Sequence, residues 1–243
     1  GKIITQLKDR IGAEIRTHYP KTRSVGLEIT KQEADNPDIE PPVLFPDFME
    51  NIVEEITSQS RHHPMVNQKS GVSARLSIAN YETCIASARR RALLLRESQG
   101  VVRPTDLGNL FASSSGKIEL DPYRDEAVTE YQVIMRIVDL AIKEIFQEYF
   151  PPAEYESTFN SITQQIYSAG QVEISDSMPA NAYRELLEKV PALFDLLRDK
   201  KWDQDDQMLA VGMEFIFEGL TVTEKISRRR LGEISSFKSV DVY

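Results

Sequence analysis

The 243 residues contain one cysteine, one tryptophan and three histidines, and each scarcity removes a class of function. A lone Cys84 forms no disulfide within the chain, and its place in a helical pattern marks it as a small buried hydrophobe without chemistry. His62 and His63 precede Pro64 at a helix end with no cysteine or second histidine pair beside them, so no metal site is expected. Apolar runs are only a few residues long, far below the ~20 that span a bilayer, and no signal-peptide pattern is recognised. There is no G-x-x-x-x-G-K-[ST] loop to cradle phosphates and no apolar strand ending in paired acids to hold magnesium. Acidic residues outnumber basic ones, 38 to 29, and the net charge of −9 argues against nucleic acid or an anionic membrane as partner. Cytoplasm is the expected compartment.

What is present suits a helical protein. The chain is 41% hydrophobic, enough for a sizeable core in one large or two small domains. Phe48, Ile52, Val53 and Ile56 recur at helical spacing from Pro46 to the Pro64 break. Ile78, Tyr81, Ile85, Ala88, Ala92 and Leu95 give one apolar stripe from Ala74 to about Ser98, with Gly100 closing the helix. Thr105 is placed to cap a short helix over 106–112. Tyr131 to Tyr149 predicts a long helix beginning near Asp125 and stopped by Pro151, and Phe159, Ile162 and Ile166 predict another over 153–168. Two short sets at 183–187 and 193–197 precede a strong one from Met208 to Leu220, with a weak strand signal at 220–223. Ala13 to Tyr19 reads as extended, and the proline- and acid-rich 35–42 and polar 113–116 read as boundaries.

Three short strings, in order, add a family likeness. Gly71-Val72-Ser73-Ala74-Arg75 ahead of the long helix resembles the G-x-S-x-R opening of the lid in AAA+ ATPases of the MoxR and magnesium chelatase I-subunit branch. Val102-Arg103-Pro104-Thr105-Asp106-Leu107 resembles that family's V-x-P-x-D-[VIL], and Ile3 to Gly12 resembles its L-x-D-R-F segment, with Ile11 in place of phenylalanine. The resemblance implies a mainly α fold in three parts: a remnant of the α/β ATPase core (1–34), a helical lid (35–118) and a helical C-terminal extension (119–243) that could bind a partner. Arg75 would be the sensor 2 residue on the nucleotide phosphates. Arg10 would be the catalytic finger on a neighbouring subunit's nucleotide, oriented by Asp9. The intact protein would use ATP and Mg2+ and assemble as a ring, commonly a hexamer. It would act on a partner, including von Willebrand factor A-domain proteins, by remodelling or metal insertion.

With glycine as first residue and no phosphate loop, the chain is expected to be the C-terminal part of a longer polypeptide, inactive alone and holding no nucleotide tightly. The rival reading is a non-enzymatic helical interaction module. Other charge clusters receive plainer readings. Arg89-Arg90-Arg91 and Arg228-Arg229-Arg230 are expected on solvated helix sides, since consecutive helical residues point about 100° apart. Asp203, Asp205 and Asp206 lack the spacing of a calcium loop and are expected to cap the helix that follows.

Overall fold

The computed structural model describes residue 7 and residues 9–15, 17–122 and 127–240. Its helices form where apolar residues recur every three or four positions, and the molecule is mainly helical. The first helix, α1 (Arg23–Glu33), is an exception: its apolar Val25 and Ile29 face solvent, while Gly26 and Thr30 are buried. It docks on α2 (Asp47–His62) because Gly26 admits the Glu54 side chain where any Cβ would collide. Arg23 pairs with Glu55 at 3.0 Å and with Glu148 at 2.7 Å, and Lys31 pairs with Glu50. Periodicity does not reveal such a helix. The Ala13–Tyr19 stretch contains no strand among its described residues, and Ile3–Gln6, Lys8 and Arg16 lie outside them.

Next comes α3 (Arg75–Leu95), which buries Leu76, Tyr81, Cys84, Ile85 and Ala88 and leaves the expected Ile78 and Leu95 only half-buried. It is flanked by a small parallel pair in which β1 (Val43–Leu44) registers Val43 against Gly100 of β2 (Gly100–Val101). The next turn is a 3-10 helix, Pro104–Asn109, leading into α4 (Leu110–Ser114). The long α5 runs Glu130–Tyr149, started by a reciprocal cap between Thr129 and Gln132; the expected start at Asp125 lies outside the described residues. Pro152 opens α6 (Pro152–Ala169), followed by α7 (Tyr183–Lys189), α8 (Ala192–Asp199) and α9 (Asp206–Val222). Asp205 caps α9 by accepting from the Met208 amide at 2.8 Å, the role expected of that acid cluster.

Residues 220–222 continue α9, so no strand forms where one was weakly indicated. The strands come later: β3 (Val172–Ser175), β4 (Ile226–Leu231) and β5 (Ile234–Ser239) form an antiparallel sheet in the order β3-β5-β4. Arg228, Arg229 and Arg230 therefore lie on a strand, not a helix. A period of two sends Arg228 and Arg230 to one face, where they pair with Glu218 and Asp176.

One apolar core runs from Phe48 to Phe237. At its centre Phe215 of α9 stacks on Phe48 of α2 at 4.6 Å and meets Phe146 of α5 edge-on at 5.5 Å, and Trp202 closes the group at 4.7 Å from Phe48. Two glycines bring α9 this close. A Cβ on Gly212 would lie 2.8 Å from Leu197 and 2.9 Å from Trp202, and one on Gly219 would fall within the Phe146 ring. Alanine in place of a mid-helix glycine ordinarily gains about 1 kcal/mol. Here Phe146 is held by Phe150, Phe159 and Phe215 and cannot swing aside, so overpacking wins. Gly219→Ala is expected to lower the unfolding free energy by about 1–3 kcal/mol, read from the urea midpoint; an unchanged or raised midpoint would show that the ring relocates freely.

Candidate functional site

The backbone ahead of α3 is held by side chains from two directions. Gly71 has φ +69° and no Cβ, which leaves room for the Tyr19 hydroxyl. That hydroxyl accepts from the Val72 amide at 3.1 Å, and Arg61 donates through Nε to the Val72 carbonyl, also at 3.1 Å. The Arg61 guanidinium lies 4.3 Å from the Tyr19 ring centroid, a cation–π contact that completes the clamp. Val72 itself is fully buried. The chain is thus fixed three residues before Arg75.

Arg75 is the first residue of α3 and is exposed, and among the described residues no hydrogen bond or ion pair reaches its side chain. The N-cap is Ala74, which has no side chain to offer the free amides, and the first turn carries no acid. A cation at this end opposes the helix dipole at a cost of about 0.3–1 kcal/mol. One carboxylate does approach this turn from α2, since Glu54 interacts with Ser77 and with Arg61. Arg61 has a buried Nη2 without a partner among the described residues, and burial lowers its pKa, an effect the Glu54 charge partly offsets. The Leu76 amide already donates to the Ser73 carbonyl at 3.1 Å, so an anion beside Arg75 would meet the guanidinium and the amides left over.

Arg10 lies in an exposed turn whose amide donates to the Leu7 carbonyl at 3.1 Å. No ion pair joins it to Asp9, so the expected orienting contact is absent among the described residues, and none joins it to Arg75. The Tyr19 hydroxyl ties the N-terminal segment to Val72, ahead of α3. No group of His, Cys, Asp and Glu among the described residues is arranged to hold a metal ion, and no helix there is long and apolar enough to cross a membrane.

A second polar centre escapes the sequence reading. Arg91, expected on a solvated helix side, is 7% exposed and forks onto Asp106 at 2.6 and 3.0 Å. Asp106 also accepts from Ser87 at 2.7 Å and from the Arg103 amide at 2.8 Å. Arg89, by contrast, reaches the 35–42 segment, donating to Asn36 at 3.3 Å and Pro41 at 3.4 Å, and only Arg90 of the three is exposed. Arg103 is fully buried; it donates to the Met178 carbonyl at 2.8 Å and lies 5.2 Å from the Tyr183 ring centroid. Tyr183 donates to Glu214, whose other oxygen accepts from the Thr105 amide at 3.0 Å. Burial raises the Glu214 carboxyl above its ordinary value, against the pull of Arg103 and its donors. The one signal available was the charged pair within Val102–Leu107, whose partners are distant in sequence.

Compared with models of known protein families, with curated proteins and with solved structures, the chain finds no match in any of the three. The geometry must speak for itself. Removing one member of a buried ion pair strands the other, so Asp106→Ala is expected to cost about 3–5 kcal/mol in unfolding free energy. Arg91→Met on top of Asp106→Ala should then cost little more or recover part of the loss. Strictly additive losses in urea unfolding would show that the two side chains do not depend on each other.

Proposed function

We propose that the chain is the lid and C-terminal extension of an AAA+ ATPase of the MoxR and magnesium chelatase I-subunit type, in which Arg75 senses bound nucleotide. The observation that carries this reading is the exposed, unpaired Arg75 at a helix start with neither capping side chain nor acid, on a backbone clamped by Tyr19 and Arg61. Such a turn offers a phosphate the Arg75 guanidinium and a helix N-terminal field with little reorganisation. ATP and Mg2+ would be held chiefly by a phosphate loop outside these residues, and this chain's part is to place the Arg75 guanidinium against the phosphates. Arg10, exposed and with no ion pair among the described residues, would act on a neighbouring subunit in a ring, as the family likeness implies. The extension would carry the partner-facing surface.

The polypeptide that includes the phosphate loop tests this directly. Arg75→Ala should lower ATP hydrolysis by about 10²–10³, while Arg90→Ala, an exposed arginine on the same helix, should leave it unchanged. Equal effects would remove the sensor assignment.

Arg10 is tested by mixing. A subunit with Arg10→Ala should bind ATP yet fail to support its neighbour, a contact worth about 10³–10⁵ in rate in related phosphoryl transfer. Mixed with subunits whose phosphate-loop lysine is disabled, it should regain partial activity, since only mixed interfaces pair an intact finger with an intact pocket. Mixed rings that stay inactive would make Arg10 structural.

A further inference from the structure

Between the antiparallel sheet and the helices beneath it lies a cavity of about 360 Å³, within the size range of small-molecule sites. The strand alternation that turns Arg228 and Arg230 inward also turns Ser235 and Phe237 to the same face, since Arg228 registers with Phe237 and Arg230 with Ser235. The opposite wall is helical. Glu214 and Glu218, one turn apart on α9, and Met135, Val138, Asp139 and Ile142, stepping by one and three on α5, all face the lumen. Thr105 and Leu107 of the 3-10 helix close one end.

The charges in this lining do not balance. Its four carboxylates are Asp139, Asp176, Glu214 and Glu218, and its two cations are Arg228 and Arg230. Arg228 is committed to Glu218 and Arg230 to Asp176. Glu214 accepts from neutral donors, the Tyr183 hydroxyl and the Thr105 amide, and feels the charges of Arg103 and Arg91 from outside the cavity lining. Asp139 alone lacks a partner: no hydrogen bond or ion pair reaches it among the described residues. Its burial raises its pKa, with Arg228 opposing and Glu218 adding to the shift, so a cation that joined it would relieve an existing cost. Met135, Val138, Ile142 and Phe237 supply apolar walls for a short stem.

The geometry points to a binding site for a small organic cation, with its ammonium or guanidinium on Asp139 and its hydrocarbon part against α5 and Phe237. At liquid packing the volume holds roughly ten non-hydrogen atoms. An anion is disfavoured, because both arginines are already paired and two further carboxylates face the same space. The site is remote in role from Arg75 and stands whether or not the chain belongs to an ATPase.

The test titrates the chain with butylammonium, butylguanidinium and 1-butanol at fixed ionic strength, following side-chain methyl resonances and heat. Saturable one-to-one binding of either cation is expected, with shifts concentrated on Met135, Val138, Ile142 and Ile174 and none from butanol. Asp139→Asn should weaken binding by about tenfold or more. If that variant fails to fold, the shift map of the unaltered chain decides alone. Absence of saturation, shifts scattered over the acidic surface, equal response to butanol, or undiminished binding by a folded Asp139→Asn would each overturn the proposal.

Discussion

The Asp106 carboxylate, 1% exposed, is the point from which the arrangement of α3, β2 and the 3-10 helix follows. An unpaired carboxylate at that depth would be prohibitive, so the fold places four donors around it: two from Arg91, one from Ser87 and the Arg103 amide. Each donor fixes a different piece of chain. Arg91 and Ser87 set the roll of α3 about its axis. The Arg103 amide sets where the chain leaves β2 and enters the 3-10 helix, which allows the Arg103 side chain to run inward to Met178 and Tyr183. From there Glu214 and Thr105 join α9 to the same centre. Electrostatic necessity, more than apolar burial, specifies this junction.

Much of the helical scaffold was legible because burial there follows the period of the helix. α2, α5, α6 and α9 put Phe, Ile, Val and Leu inward every three or four residues, and proline or glycine marks most of their ends. α1 was not legible, since its buried positions are Gly26 and Thr30 and its attachment is ionic. The sheet was equally hidden. β4 is exposed at five of its six positions and carries three arginines in succession, so neither apolar alternation nor β propensity announces it. Its two salt bridges join residues 10 and 54 apart in sequence, and nothing local foretells such pairs.

The candidate site divides along the same line. Arg75 at a helix start could be placed from the glycine and serine before it and the stripe after it. Its clamp could not, because Tyr19 and Arg61 come from 53 and 11 residues away from Val72. The cavity beneath the sheet was invisible for a further reason: it exists only where strands unseen in the sequence close over helices that were seen. Charged residues set down as solvated turn out to line it or to anchor the junction beside it.

One helix gives these separate places a common mechanics. Arg75 and Arg91 stand 16 residues apart on α3, which at 1.5 Å per residue is about 24 Å of rigid rod. Each end is gripped by bonds to other segments, Val72 on one side and Asp106 on the other. A tilt of about 10° pivoting on the first grip would carry the second through about 4 Å, roughly three-quarters of the helical pitch. Hydrogen bonds around Asp106 tolerate only a small fraction of that travel. The helix therefore behaves as a stiff crank: a displacement imposed at one end either drags the whole Asp106 junction with it or is refused outright.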